Sequence, residues 1–149
     1  IAGKAGLIEK LTKGIGPFLH FLFPRIPKEH PARGYIATNI IANVLGLGWA
    51  CTPAGLKAME ELSNLERERG NPEYAMSTKQ NASARCASKE MCTFLILNIS
   101  SLQLIPVNMI AYRSQYGSSN PTGIIMPAIA ATLISTVVAI IYCKIKDRR

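Results

Sequence analysis

The chain has 149 residues, of which 48% are hydrophobic and 17% are charged, whereas about 25% of the residues in an average soluble domain are charged. This composition excludes a disordered chain, a collagen-like repeat and a disulfide-rich secreted module, and it fits an ordinary soluble enzyme poorly. The net charge is +8, but the basic residues flank apolar segments and do not alternate with aromatic residues as on a base-stacking surface. We therefore expect a small helical membrane protein that contacts lipid and binds no nucleic acid.

The N-terminal part of the chain contains a short apolar segment, residues 14–23. It is too short to cross a bilayer and is typical of an interfacial segment. Pro24, Pro27 and Pro31 follow it and predict a stiff connector. We assign residues 1–34 to an amphipathic or interfacial segment with this proline-rich connector.

Three longer stretches without charged residues come next, at 34–56, 91–112 and 123–143. A helix of 21 residues is about 31 Å long, which matches the hydrocarbon core of a bilayer. The third stretch is the clearest spanning helix. If all three cross, the polar loop 66–90 and the basic tail 144–149 lie together on the cytoplasmic side. A re-entrant first stretch would overturn that topology.

The first stretch carries the signature of a broken helix. Thr52 is a favourable N-cap residue and Pro53 suits the first position of a helix. The pattern therefore predicts that one helix stops around Gly46 to Gly48 and that a second begins at Thr52. A loop after a slightly short helix is the alternative reading.

Polar side chains in the first two stretches form the candidate ligand site. On a helix, Asn39 and Asn43 lie one turn apart on one face, and Asn98, Ser101 and Asn108 fall within roughly 80° of one another. Carboxamides both donate and accept hydrogen bonds, so they suit a neutral small molecule better than a metal ion. Hydrogen bonding between packed helices is the equally open alternative. The candidate residues are Asn39, Asn43, Gly46, Gly48, Thr52, Asn98, Ser101 and Asn108.

No catalytic motif, cofactor motif or metal-ligand spacing is found in the sequence, and we expect neither an enzyme nor a cofactor. The four cysteines contain no CxxC pair and are expected to be reduced thiols. A membrane enzyme would need an acid at the polar ends of the apolar stretches, and the candidates are Glu60, Glu61 and Glu90.

Three segments carry a resemblance to a known family. They read HPARGYIATNIIANVLGLGWACTPAGLKAMEEL, then MCTFLILNISSLQLIP, and later NPTGIIMPAIAATLISTVVA. In this order they resemble the spore maturation protein A family, which is part of the broader nucleoside-recognition or Gate domain group. The resemblance covers the chain from about residue 5, apart from the polar loop.

The resemblance implies an all-α integral membrane protein of the bacterial cytoplasmic membrane, or of the forespore membrane. Its Gate-type domain would occupy residues 35–143, with about three main hydrophobic segments, at least one of them broken or re-entrant, around the polar loop. The implied role is spore core dehydration or maturation, by recognition or transport of a small nucleoside-like solute. The implied partner is a sister membrane protein of the spore maturation protein B type, or a second copy. A non-transporting scaffold subunit of an envelope complex is the alternative.

The family pattern also bears on single residues. Asn39, Asn43, Thr52 and Asn98 match it. Trp49 stands where the family usually has asparagine, and Cys51 where it usually has alanine. Because an indole accepts no hydrogen bond, a ligand contact of the asparagine kind is not expected at position 49.

Overall fold

The computed structural model describes residues 7–70, 87–100 and 105–147. Within these ranges the regular secondary structure is helical, with no strand, which confirms the predicted all-α class. The helices are α1 (Leu7–Leu22), α2 (Pro31–Val44), α3 (Gly48–Glu68), α4 (Lys89–Ser100), α5 (Val107–Gln115) and α6 (Ile125–Asp147), and a 3-10 turn at Pro121–Ile124 precedes α6.

The start of α2 follows from local chemistry in the proline-rich connector. Pro31 occupies the first turn, where its fixed φ suits a helix and its missing N–H is not needed. The Nδ1 atom of His30 accepts a hydrogen bond from the backbone N–H of Ala32 at 3.2 Å. The Arg33 guanidinium donates to the backbone carbonyl of Ile26 at 3.1 Å and so holds the connector against α2.

The first uncharged stretch is broken as predicted, because α2 ends at Val44 and a new helix begins at Gly48. Gly46 has a φ of 72°, which is the left-handed conformation that commonly ends helices. Its N–H donates to the carbonyl of Asn43 at 2.9 Å, and the N–H of Leu47 donates to that of Ala42 at 2.8 Å. This pair of bonds is a Schellman motif. It reverses the chain, so that α2 and α3 pack against each other as a hairpin.

The predicted helix start at Thr52 is wrong. The second helix begins four residues earlier, and the Thr52 hydroxyl donates to the carbonyl of Gly48 inside it, at 3.3 Å. The Schellman motif already sets the backbone direction at Leu47, so the helix starts without a side-chain cap. Pro53 therefore lies within α3 and leaves the carbonyl of Trp49 without an intrahelical donor. Trp49 is 98% exposed, so this part of the helix lies at the surface.

The second stretch is also interrupted. Its helix α4 reaches Ser100, Ile105 and Pro106 are not helical, and α5 begins at Val107. Over the described residues these helices comprise 12 and 9 residues, and the non-helical Ile105 and Pro106 prevent a single helix of the roughly 20 residues that cross a bilayer. Among the described residues, only Pro121–Asp147 is long and apolar enough to do so by length and composition, with a mean hydropathy of 2.5 over 18 residues.

A hydrophobic core joins the end of α1 and the connector to α2, α3 and α4. Phe23 and Ile26 from the N-terminal part, Ile36 from α2, Leu62 from α3 and Phe94 from α4 are each at most 2% exposed. Burial of each such side chain contributes about 1.5–3 kcal/mol. The two helices of the hairpin are thereby fixed against the elements that flank them.

Charged contacts close one end of this bundle. The Arg69 Nη1 atom lies 2.7 Å from Glu66 Oε1 and 3.2 Å from Glu90 Oε1, and both carboxylates are buried. Its Nη2 atom donates to the backbone carbonyl of Arg25. The Arg25 guanidinium in turn lies 3.2 Å from Asp147 at the end of α6. The polar ends of α3, α4 and α6 therefore meet at the connector.

We predict that Gly46→Ala destabilises the fold by about 2 kcal/mol or more, because it combines left-handed strain with a clash. A Cβ at position 46 would lie 2.3 Å from the carbonyl oxygen of Ile105. The free energy of unfolding in detergent, followed by circular dichroism, measures the effect. Gly117→Ala is the matched control, since Gly117 has a φ of 71° and no atom within 4 Å of such a Cβ. Equal losses in the two variants would contradict a close contact at Gly46.

Candidate functional site

Three asparagine side chains meet where α2, α3 and α4 come together. The Asn39 Nδ2 atom donates to the backbone carbonyl of Cys51 at 2.8 Å. The Asn43 Nδ2 atom donates to Asn39 Oδ1 at 3.3 Å and to Asn98 Oδ1 at 2.7 Å. We call Asn39, Asn43 and Asn98 the carboxamide cluster. It brings together residues 55 positions apart in the sequence.

A glycine makes room for this cluster. Gly55 is buried in α3, and a Cβ there would lie 2.9 Å from Asn39 Nδ2 and 3.6 Å from Asn98 Nδ2. A side chain at this position would therefore displace the amide of Asn39, which is 1% exposed. Gly55 was not among the site residues predicted from the sequence. Its spacing of four residues from Cys51 places both on the α3 face towards α2, which is the signal that could have identified it.

The departures from the family pattern leave the cluster intact. Cys51 contributes its backbone carbonyl, which alanine would offer equally, and its thiol lies 3.0 Å from the carbonyl of Gly48. The Trp49 side chain, at the start of α3, is 98% exposed. Neither side chain supplies a polar group to the carboxamides.

A cavity of about 220 Å³ adjoins the carboxamide cluster. All three asparagines line it, and the rest of its wall is mostly aliphatic and aromatic. An apolar cavity with a few convergent polar groups is typical of small-molecule sites. Besides the cluster, its wall is formed by Ile15, Phe18, Ile40, Val44, Phe94, Leu97 and Thr136.

The amides keep hydrogen-bonding capacity after their mutual contacts. Within the described residues, Asn43 Oδ1 accepts no hydrogen bond, and Asn39 uses one of its two amide hydrogens. The two residues that keep this acceptor and this donor both line the cavity. A neutral solute that presents one donor and one acceptor on the same edge would match them.

The remaining candidates lie elsewhere. Gly46, Gly48, Thr52 and Asn108 line a more open cleft of about 820 Å³ beside the hairpin turn, and Ser101 falls outside the described residues. The prediction that Asn108 shares a helical face with Asn98 is wrong, because the helix is interrupted before Val107. Helical periodicity cannot be counted across that interruption.

Among the described residues, no charged side chain lines the cavity beside the carboxamide cluster. Glu90, one of the acids that a membrane enzyme would need, is buried and paired with Arg69. In the part of the chain that the structure describes, no three side chains of His, Cys, Asp or Glu come close enough to hold a metal ion. The chemistry that the described carboxamide site offers is hydrogen bonding to a neutral group.

We predict a coupling free energy of about 1 kcal/mol between Asn43 and Asn98 in a double-mutant cycle with leucine. Leucine keeps the approximate volume and removes the 2.7 Å amide contact. Unfolding of the wild type, both single variants and the double variant in detergent gives the coupling. The same cycle between Asn43 and Asn108, which line different cavities, is expected to give none. A zero value for Asn43 with Asn98 would show that the contact is absent in solution.

Comparison with known proteins gives one strong similarity. The chain is 44% identical over 141 residues to spore maturation protein A of Bacillus subtilis (strain 168). The matched region comprises 95% of this chain and 64% of that protein, so the chain spans just under two thirds of its relative's length. No protein-family model and no solved structure matches the chain.

Proposed function

Because the chain is a relative of the spore maturation protein A family across nearly its whole length, as its motifs predicted, we propose that it acts in spore maturation as an integral membrane protein. The proposed location is the bacterial cytoplasmic membrane, including the membrane of the forespore. The relative's name supports the role in spore maturation. The further proposal, solute recognition, is supported by the geometry of the carboxamide cluster.

The surface of α6 supports the membrane location. Its large apolar side chains are mostly exposed, among them Leu133, Ile134, Val138 and Ile141. Only 6% of its most apolar 18-residue window is buried, whereas a core helix of a soluble protein is mostly buried. In a bilayer, lipid would cover this apolar surface and remove the unfavourable free energy of its exposure to water. Lysines at the end of α6 fit the cytoplasmic side.

The carboxamide cluster beside its cavity is the observation that carries solute recognition. The proposed solute is neutral, partly flat and apolar, and has neighbouring donor and acceptor groups, as a nucleoside has. Asn43 Oδ1 would accept from it and Asn39 Nδ2 would donate to it, while the apolar wall covers its remaining surface. Since each hydrogen bond involves an uncharged partner, neither binding nor release requires a charge to be moved.

A transport pathway must be enclosed by more protein than the described helices provide. Short, interrupted helices at membrane depth need protein or water around their free backbone groups, and transporters enclose such sites by pairing two repeats. We propose that a sister membrane protein of the spore maturation protein B type, or a second copy of the chain, supplies the other half. The open cleft at the hairpin turn, with Asn108 and Trp49, is available for that contact.

A scaffold role is the second candidate. It is supported by the bonds that the three carboxamides make with one another, since interhelical amides hold membrane helices together. In a scaffold, removal of an amide weakens the assembly of the membrane complex. Solute binding is not affected, because a scaffold binds no solute. Solute binding and assembly therefore separate the two functions.

We predict that a nucleoside or related neutral metabolite raises the melting temperature of the purified protein in detergent, with saturation as its concentration rises. Asn43→Leu is expected to weaken binding about tenfold through the lost acceptor. Asn64→Leu, on α3 outside both the cavity and the open cleft, is the control and should bind as the wild type does. The absence of a saturable shift for every compound, or equal weakening by both variants, would contradict the proposed site.

We predict that a chimaera restores heat-resistant spores to a Bacillus subtilis strain that lacks spore maturation protein A. In the chimaera, this chain takes the place of the matched region of that protein. A chimaera present in the membrane that yields no such spores would contradict the role in spore maturation. Asn43→Leu in the chimaera separates the two functions. Loss of spores with normal membrane levels supports solute handling, whereas loss of the protein from its complex supports the scaffold.

A further inference from the structure

A third cavity lies at the charged end of the bundle, and none of its lining residues belongs to the cavity beside the carboxamide cluster. It is a groove of about 330 Å³ between the start of α4 and the end of α6. We call it the lysine groove. Its wall includes Lys89, Thr93 and Ile96 from α4 and Tyr142, Lys146 and Asp147 from α6.

Neighbouring charges at this end are already engaged. Asp147 lies 3.2 Å from Arg25. Lys144 donates to the backbone carbonyl of Phe21, and its ammonium lies 4.3 Å from the centre of the Phe21 ring. Glu90 next to Lys89 is paired with Arg69.

Lys89 and Lys146 differ from these groups. Both are exposed, and the described part of the chain contains no carboxylate within 4 Å of either ammonium. The one acid in the wall of the lysine groove, Asp147, is the partner of Arg25. Two lysines therefore line the groove, and no carboxylate of the described residues pairs with either of them. Together they fit an anionic group.

The groove changes from cationic to apolar along its length. Ile96 lies seven residues after Lys89 on α4, about 10 Å along the helix axis, and Tyr142 lies one turn before Lys146 on α6. A tyrosine at such a boundary is typical of the membrane–water interface. An anion with an attached hydrocarbon chain would contact both parts, whereas a free phosphate would contact the lysines alone.

From this arrangement, and on the basis of the membrane location proposed above, we propose that the lysine groove binds the headgroup of an anionic phospholipid. The phosphate lies between Lys89 and Lys146, and the glycerol and first methylenes lie along Tyr142 and Ile96. The exposed apolar surface of α6 continues the path for the acyl chain. Basic pockets between membrane helices on the cytoplasmic side recognise anionic lipids in this way. The lipid also contacts both α4 and α6, and so links the helix that carries Asn98 to the spanning helix.

Native mass spectrometry of the purified chain in detergent tests this site with phosphatidylglycerol and phosphatidylcholine as probes. The wild type is expected to retain phosphatidylglycerol in preference, and added salt should reduce that retention. Lys89→Gln with Lys146→Gln should weaken phosphatidylglycerol binding by roughly 10- to 30-fold. Lys28→Gln with Lys57→Gln removes the same charge from residues outside the lysine groove and should leave binding unchanged.

Each alternative outcome overturns the proposal. Equal retention of both lipids removes the anionic selectivity, and equal loss in the two double variants reduces the effect to net charge. Displacement of the lipid by free glycerol phosphate at comparable concentration would assign the groove to a soluble phosphate. If carbonate extraction releases the chain from membranes, the membrane location itself fails. A chain that stays in the membrane but shows no lysine-dependent lipid binding refutes the groove site alone.

Discussion

The reversal of the chain at Gly46 is the constraint on which the rest of the structure depends. Its left-handed backbone permits the Schellman bonds that end α2, and its missing Cβ lets the carbonyl of Ile105 approach. The reversal places α3 beside α2, so that Cys51 meets Asn39. Without it, the uncharged stretch 34–56 would continue as one helix, and the amide of Asn39 would have no backbone partner in α3.

The two ends of the bundle use different physical solutions for buried polar groups. At the carboxamide cluster, uncharged amides donate hydrogen bonds to one another and to the carbonyl of Cys51, at a modest desolvation cost. At the other end, the buried carboxylates of Glu66 and Glu90 share the guanidinium of Arg69, since an unpaired buried charge would cost several kcal/mol. The neutral end fits the solute binding proposed above. The paired end fixes the positions of α3 and α4 relative to the connector.

Several elements could be predicted because their signals are local. The apolar run of α6 and the glycines at the break identify a long apolar helix and an interrupted one without reference to neighbours. The start of α3 could not be located, because the Schellman bonds at Leu47 replaced the N-cap expected at Thr52. The position of Asn108 was also predicted wrongly. Because the helix is interrupted before Val107, the angle between Asn98 and Asn108 cannot be calculated from helical periodicity.

The sequence by itself determined the helical class, the break near Gly46, the resemblance to spore maturation protein A and the polarity of Asn39, Asn43 and Asn98. Composition, turn chemistry and motif order are properties of the chain. Only the tertiary structure decided which polar residues meet. It joined Asn43 to Asn98 across 55 positions, placed Gly55 where an amide needs space, and paired Arg69 with Glu90. Contacts between distant residues depend on how helices pack, and packing depends on the shapes of all the side chains between them.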